Sequence, residues 1–596
     1  MKKLLFVVPA SVILAGIVFG IVSCTPPPTR AATGGATSGE PVGQLPRNET
    51  LYFNGLQWGA PVALSPYHGN RNYTFLDAQR QVVFETLFLY NPLDAKLYPQ
   101  IGDSYVWDGD NVIITLNKNV KFSDGTPLTA ADVVNAYQLA KDYQVGSSGY
   151  WSYINAVIAV DDYTVRIEGN PATINPKYIE QSLSELYITS KKYWDGKKAS
   201  GELDTRATAL LEFLGWDCPG TGPYKPTIQD ETKIVVERNN DYWGQHPSRW
   251  GKLPAPRYLA MNIYKDNAAG DAAFRAGQVD VSQQFISQVW KIWEAGIPAE
   301  TYIPQAPYYI PGVIPSIIFN TTKPGLNDPA VRRAIAMSLD YNTIGQNAMS
   351  GYTAPYVPSL MLPTAPEQAL IDAAALKPYQ WNSDVTVAIE EANKLLDQAG
   401  WVKGADGIRA KDGVKLSFKA ECPAGWTDWN ASLEVVSQSG KAIGLDIATY
   451  FPDAPVWWSD MINTTFDIIM NSPGGANIAS PWSRAYSIGF ENVSAPGTPN
   501  TVHNFGRWEN VRANEIIKAL VTETDPATVK ALWTEFNIIY LQEMPMAGLM
   551  YRPSLFHTVY TGVWTDFPKQ NDGSNIPPLI CLDGYGIAAL YKIHAK

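Results

Sequence analysis

The 596-residue chain is too long for one domain, and its 45% hydrophobic and 12% aromatic content is enough for several packed cores. Its formal net charge of −11 at pH 7 argues against nucleic acid as a partner. Beyond residue 24, Cys218, Cys422 and Cys581 show no C-x-x-C spacing, so we predict no metal site and no cofactor. An oxidising compartment would allow one disulfide among these three, and the sequence does not choose the pair.

The first residues carry a secretory signal. Lys2 and Lys3 precede an apolar run at 4–22, which is also long enough to be weighed as a membrane span. The end of the run, Ile-Val-Ser-Cys at 21–24, resembles the bacterial lipobox, where the signal is cleaved before a cysteine that becomes lipidated. We therefore expect a lipoprotein signal peptide at 1–23 and a lipid on Cys24, with a plain N-terminal anchor as the alternative.

A flexible tether is predicted at 24–47. The segment is rich in Pro, Gly, Thr, Ala and Ser and has few large apolar residues, so it cannot bury a core. A lipid followed by a tether predicts a folded body held outside the cytoplasm and anchored to the cell membrane, either in the periplasm or at the outer face of the cytoplasmic membrane.

Local patterns then predict the first elements in chain order. Residues 112–116 and 120–122 alternate as short strands. Thr129, followed three residues later by Asp132, forms a capping box and predicts a helix start. The Asp-Pro pair at 328–329 predicts a second helix start.

A βαβ unit is predicted in the second half of the chain. Apolar residues at helical spacing end at Gly400, and residues 414–420 then alternate as a strand. An amphipathic stretch and a second strand at 445–450 follow the aromatic-rich loop at 421–429. Because ligands bind at the carboxyl ends of strands in open α/β sheets, we expect this loop to line a ligand crevice.

Several short motifs stand in a fixed order along the chain. They are FETL at 84–87, YPQIGDS at 98–104, VKFSDGTPLTAADVV at 120–134, GTGPY at 220–224, RNNDYWG at 238–244, AGQVD at 276–280 and DPAVRRAI at 328–335. Each motif is weak alone, but the ordered set resembles the bacterial extracellular solute-binding proteins of family 5, the dipeptide/oligopeptide-binding type of ABC importers. The resemblance runs from about Leu51 to the C-terminus.

The resemblance implies an α/β, two-lobed periplasmic-binding-protein fold of type II, in the large three-segment variant, with a hinge and an interlobe ligand cleft. It implies lobe 1 from residues 48–90, 217–315 and 553–596, an inserted domain at 91–216, and lobe 2 at 316–552. It also implies a monomer that captures a solute, delivers it to an ABC permease and is not an enzyme.

An oligosaccharide is the favoured ligand. The chain has 19 Trp, and several stand in loops beside amide, hydroxyl or carboxylate side chains. The C–H face of a pyranose stacks on an indole, and sugar hydroxyls need planar polar partners. The loop at 423–429 resembles that of family members that bind β-linked, cellobiose-like ligands. The candidate ligand-binding residues are Asn54, Gln57, Trp58, Gly425, Trp426, Thr427, Asp428, Trp429, Trp457, Trp458, Trp482, Arg484 and Trp508.

Three alternatives stay open. A peptide is the second candidate ligand, since Asp428 could hold an α-amine, although it could also cap the following helix. Each Trp could instead pack in a core, as large aromatic side chains usually do. The sequence has no G-x-S-x-G, H-E-x-x-H or P-loop motif, and a secreted glycosidase stays as a remote alternative because it needs only two carboxylates.

Overall fold

A computed structural model describes residues 45–55, 63–68, 81–229, 232–264, 266–475, 477–489, 497, 504–578 and 584–596. The predicted signal peptide, Cys24, Gln57, Trp58 and Cys581 lie outside these residues, as does nearly all of the predicted tether. Among the described residues, no helix has both the length and the apolar character needed to cross a membrane. Arg47, the last residue of the predicted tether, is bound to Asp280 at 2.6 Å, so the folded body already begins there.

The largest sheet combines segments that are far apart in the sequence. Its seven strands, in spatial order, are Ala299–Thr301, Thr558–Tyr560, Val281–Ser282, Thr50–Asn54, Tyr258–Asn262, Lys233–Arg238 and Tyr224–Gln229. The strand Thr50–Asn54 runs parallel to both of its neighbours, and the other pairs are antiparallel. The helices Asn267–Arg275 and Trp290–Glu294 lie in the connections between these strands.

A smaller antiparallel sheet is formed by residues between 102 and 169. Its strands, in spatial order, are Gly102–Asp108, Asn111–Leu116, Thr164–Gly169 and Ile154–Asp161. The helix Ala130–Asp142 begins after Thr129, whose backbone N–H donates to the Asp132 carboxylate at 2.8 Å, which confirms the predicted capping box. The strand predicted at 120–122 is wrong, since that segment forms only an isolated bridge to Pro127.

The half of the molecule that contains these two sheets also has several shorter elements. Its other helices are Gly146–Ser152, Pro176–Glu185, Lys191–Ala199, Ala209–Glu212, Trp243–Gln245 and Gly584–Tyr591, and its two-stranded pairs are Phe88–Asn91 with Lys96–Pro99 and Trp564–Thr565 with His594–Ala595.

The third large sheet belongs to the other half. Its five strands, in spatial order, are Asp446–Tyr450, Ser417–Glu421, Ile468–Asn471, Ser316–Phe319 and Met546–Gly548. The first three run parallel to one another, and Ser316–Phe319 runs antiparallel to both of its neighbours. The helices of this half are Pro329–Ser338, Tyr341–Thr343, Ile344–Ala348, Ala365–Gln368, Ala373–Leu376, Lys377–Tyr379, Val385–Gln398, Thr427–Ala442, Ala454–Asn463, Trp482–Gly489, Val511–Ala519 and Pro526–Glu543.

The predicted βαβ unit is confirmed with one change. The strand Ser417–Glu421, the helix Thr427–Ala442 and the parallel strand Asp446–Tyr450 follow one another as expected. The predicted strand at 414–420 is divided, because Val414–Lys415 pairs instead in a separate three-stranded sheet with residues 402–411.

Two chain crossings join the halves. We call residues 316–548 lobe 2 and the other described residues lobe 1. At the crossings Val313 and Arg552 exchange two backbone hydrogen bonds of 3.0 Å each. One hydrophobic core fills lobe 1, and a second fills lobe 2 and continues past the crossings to Phe274, Ile286 and Tyr309. The two lobes are therefore packed together around the crossings.

Candidate ligand-binding site

Three parallel strands of lobe 2 end at the same edge of its sheet. The chain leaves them after Glu421, Tyr450 and Asn471, and each exit leads into a helix that carries Trp near its start. The first helix brings Trp426 and Trp429, the second Trp457 and Trp458, and the third Trp482. Because carboxyl edges of open α/β sheets hold ligands, we call this edge, with these five indoles, the tryptophan edge.

Four of these indoles form a continuous row. The ring centroid of Trp426 lies 4.9 Å from that of Trp429, with an interplanar angle of 76°, and 5.6 Å from that of Trp457, with an angle of 59°. Trp457 lies 6.2 Å from Trp458, which in turn lies 6.4 Å from Phe505. These tilted and edge-to-face contacts are the favoured geometry for aromatic pairs.

Burial divides the row into two kinds of residue. Trp429 and Trp457 are 6% and 7% exposed and pack in the core of lobe 2, where the Trp457 indole donates to the Met470 carbonyl at 3.1 Å. Trp458 is 45% exposed, and Trp426 is partly exposed. Only the latter two offer an indole face to a ligand in this conformation.

The remaining candidate Trp of lobe 2 also have packing roles. The Trp482 indole is buried and donates to the Ile517 carbonyl at 2.8 Å. Trp508 is buried in the same core. Core packing, the alternative considered for every Trp, accounts for their positions here, and their predicted contact with ligand stays a prediction.

The two charged candidates are already paired. The guanidinium of Arg484 is fully buried and donates to both carboxylate oxygens of Glu367, at 2.9 and 3.0 Å. The carboxylate of Asp428 is 4% exposed and accepts from Nε of Arg552 at 2.6 Å. The following helix begins after Trp426 without a side-chain cap, so Asp428 is an ion-pair partner and not a cap.

The remaining candidates that the structure describes, Gly425, Thr427 and Asn54, differ in whether they are exposed or buried. Gly425 is exposed and has φ of +80°, a left-handed conformation that favours glycine, and Thr427 is exposed beside it. Asn54 is buried at the carboxyl end of its strand in lobe 1, and its amide donates to the Gly270 carbonyl at 3.0 Å. Within the described part of the chain its side-chain oxygen has no hydrogen-bond partner.

Aromatic contacts across the lobes were missed by the sequence analysis. Tyr178 of lobe 1 lies 5.7 Å from Trp482 of lobe 2, and Trp482 stacks on Tyr486 at 5.0 Å. Burial, together with the neighbouring Tyr486 of lobe 2, raises the pKa of Tyr153 of lobe 1. Burial raises the pKa of Tyr178 to about 12. No local pattern links tyrosines that stand some 300 positions apart, so only the tertiary structure brings them together.

The thiols of the described chain are unreactive. Cys218 and Cys422 are both buried and free, so these two do not form a disulfide with each other. Burial raises the pKa of Cys422 to about 12, which keeps it protonated. Among the described residues, no three His, Cys, Asp or Glu side chains cluster closely enough to hold a metal ion.

These observations define a two-lobed α/β protein whose candidate ligand edge lies at the carboxyl ends of parallel strands. The model of the bacterial extracellular solute-binding proteins, family 5, matches residues 96–494, and the chain belongs to this family. The family membership confirms the two-lobed periplasmic-binding-protein fold predicted from the motifs.

Individual relatives differ in what they bind. A probable peptide-binding protein from Agrobacterium fabrum is 24% identical over 399 residues, which cover 62% of this chain and 63% of that relative. A periplasmic oligopeptide-binding protein from Thermotoga maritima, solved with mannohexaose bound, is 25% identical with a TM-score of 0.80, covering 93% of this chain and 100% of the other. An oligopeptide-binding protein from Bacillus subtilis, solved with a nonapeptide, is 19% identical with a TM-score of 0.69, covering 92% and 99%, and shows the fold alone.

Proposed function

We propose that this chain is the substrate-binding component of an ABC importer and that its ligand is an oligosaccharide, β-linked and cellobiose-like, held between the lobes at the tryptophan edge. The observation that carries the proposal is the arrangement of the three exits from the parallel strands, each of which brings Trp to the same edge. The partly exposed faces of Trp426 and Trp458 suit the apolar face of a pyranose ring.

Two features of the tryptophan edge also suit a neutral ligand. Asp428, the acid considered for an α-amine, is buried and neutralised by Arg552, and residues 472–481, which follow the third parallel strand, include no charged side chain. A peptide brings two charged termini into the cleft, and burying them without partners is costly. The mannohexaose-bound protein from Thermotoga maritima supports a saccharide as a ligand type for this fold.

A peptide is the second candidate, favoured by the names of the relatives. A titration of the full-length protein with mannohexaose, cellohexaose and a mixture of tri- to pentapeptides decides between the two. We expect a saccharide to raise the melting temperature, because a ligand present at 100 times its Kd stabilises the folded state by about 2.7 kcal/mol. Stabilisation by peptides alone would refute the saccharide and leave the binding role standing.

The same proposal places the protein outside the cytoplasm, tethered to the membrane through a lipid on Cys24, as a monomer with an ABC permease as its partner. Turnover is not part of the proposed role. Incubation of purified protein with the saccharide that binds should leave that saccharide intact, and release of shorter sugars would favour the glycosidase alternative.

A further inference from the structure

The ion pair between Asp428 and Arg552 joins the tryptophan edge to the chain crossing. Asp428 stands between Trp426 and Trp429 in the first turn of the helix Thr427–Ala442. Arg552 stands at the second crossing, where its backbone pairs with Val313. The Nε–Oδ2 distance is 2.6 Å, and the two side chains are 18% and 4% exposed.

Arg552 is fixed from the lobe 1 side as well. Its guanidinium lies 4.6 Å from the ring centroid of Phe556, and Nη1 donates to the Pro553 carbonyl at 3.2 Å. Phe556 packs edge-on against Phe285 and Tyr309, at 5.3 and 5.1 Å. The position of this guanidinium is therefore set by the segment that leads back into lobe 1.

Other hydrogen bonds anchor the loop before the helix to its own lobe. The Asn430 amide donates to the Pro423 carbonyl at 2.8 Å, and the Ala424 N–H donates to the Pro452 carbonyl at 2.9 Å. Both contacts stay within lobe 2. The bond from Arg552 to Asp428, by contrast, reaches the crossing.

We propose that Asp428 is a positioning residue, which holds the Trp426 indole at a fixed place relative to the crossing and thereby sets the geometry of the ligand edge without touching ligand. A nearly buried carboxylate that is paired at 2.6 Å is poorly placed to bind a solute, but it is well placed to hold a loop. Closure of one lobe over the other moves the crossing, so the pair links the indole to that movement. The choice of saccharide as the probe rests on the proposed function.

The test compares Asp428→Asn with Asp397→Asn in the full-length protein. Asp397 is the control for removal of a paired carboxylate charge, because its side chain, which is 66% exposed, also binds an arginine, Arg409, at 2.6 Å in lobe 2. The first measurement is hydrogen exchange of the backbone amides at 424–430 without ligand, and the second is the Kd for mannohexaose.

We expect Asp428→Asn to speed exchange at 424–430 at least tenfold and to raise the Kd at least tenfold, with Asp397→Asn close to wild type in both. Hydrogen exchange in the strand Ser417–Glu421 measures whether the fold as a whole has loosened. If its exchange also rises in Asp428→Asn, the double variant Asp428→Asn/Arg552→Gln, which leaves no unpaired charge, should retain the local increase alone.

Unchanged exchange at 424–430 in Asp428→Asn, or an equal increase in both single variants, would overturn the positioning role. A tenfold loss of mannohexaose affinity without faster local exchange would also overturn it, since it would indicate that Asp428 touches ligand. If wild type binds neither mannohexaose nor cellohexaose, the proposed ligand fails, and the exchange measurement still decides the role of Asp428.

Discussion

Two neighbouring Trp residues give the sharpest test of the tryptophan edge. Trp458 is 45% exposed, which leaves roughly 110 Å² of a side chain of about 250 Å² for contact with ligand. At about 25 cal/mol per Å², full coverage would contribute about 2.8 kcal/mol and half coverage about 1.4 kcal/mol. Trp458→Ala should therefore raise the Kd for the bound saccharide about 10- to 100-fold.

The adjacent Trp457 is the control, because it is 7% exposed and its indole is bonded to the Met470 carbonyl. Trp457→Ala should lower the free energy of unfolding by about 3–5 kcal/mol, as truncation of a buried aromatic does, with near-normal affinity in the protein that stays folded. Trp458→Ala should cost less than about 1.5 kcal/mol in stability. Calorimetric titration and denaturant melts of both variants provide the two quantities.

The reasoning is refuted if Trp458→Ala binds the saccharide as tightly as wild type. It is equally refuted if Trp458→Ala loses as much stability as Trp457→Ala, since the indole would then be a core residue and its exposed face irrelevant. The two substitutions remove the same atoms from adjacent positions. A difference between them in affinity or stability is therefore due to the different burial of the two indoles.

Three further predictions concern a contact across the lobes, a buried carboxyl group and the lipid anchor. Tyr178→Leu removes the edge-to-face contact with Trp482 across the lobes, worth about 0.5–1.5 kcal/mol, so ligand should dissociate about 2- to 10-fold faster in stopped-flow measurements; an unchanged rate would contradict a cross-lobe contact in the bound state. Burial raises the pKa of Glu85 to about 7, despite the Tyr242 hydroxyl that donates to it at 2.7 Å. Its protonated form is thus favoured in the folded state, and stability should fall by about 3 kcal/mol as pH rises from about 4.5 to 7. Glu85→Gln should flatten this dependence in urea melts at pH 5 and pH 8, and an equal slope in both proteins would contradict it. Cys24→Ala should abolish labelling by a fatty-acid analogue, whereas labelling equal to wild type would rule out lipidation at this residue.

The sequence predicted those elements whose formation depends on residues that are close together in the chain. The helix start at Thr129 follows from a bond between residues three apart, and the order of strand, helix and strand around 417–450 follows from apolar spacing. Both are decided by contacts within one turn or one strand. The wrong strand at 120–122 illustrates the limit, because that segment satisfies its backbone groups in turns and one isolated bridge.

The sequence predicted where the candidate site lies, but not which of its side chains are exposed or paired. The aromatic loop at 421–429 lies at the carboxyl edge of its sheet, as the βαβ pattern predicted. The sequence could not predict which indoles are exposed. Trp457 and Trp458 are adjacent in the chain and differ only in how far the fold buries them. The ion pair of Asp428 was also hidden, because Arg552 is 124 positions away.

The sequence alone therefore determined the family, the fold class and the edge of the sheet at which Trp collects. Those conclusions rest on ordered motifs and on short-range periodicity, which are properties of the chain as written. Only the tertiary structure decided that Trp458 is exposed while Trp457 is buried, that Asp428 is bound to the crossing, and that Tyr178 contacts Trp482 of the opposite lobe. Burial and charge pairing depend on long-range neighbours, and these exist only after the two lobes have folded and packed around their crossings.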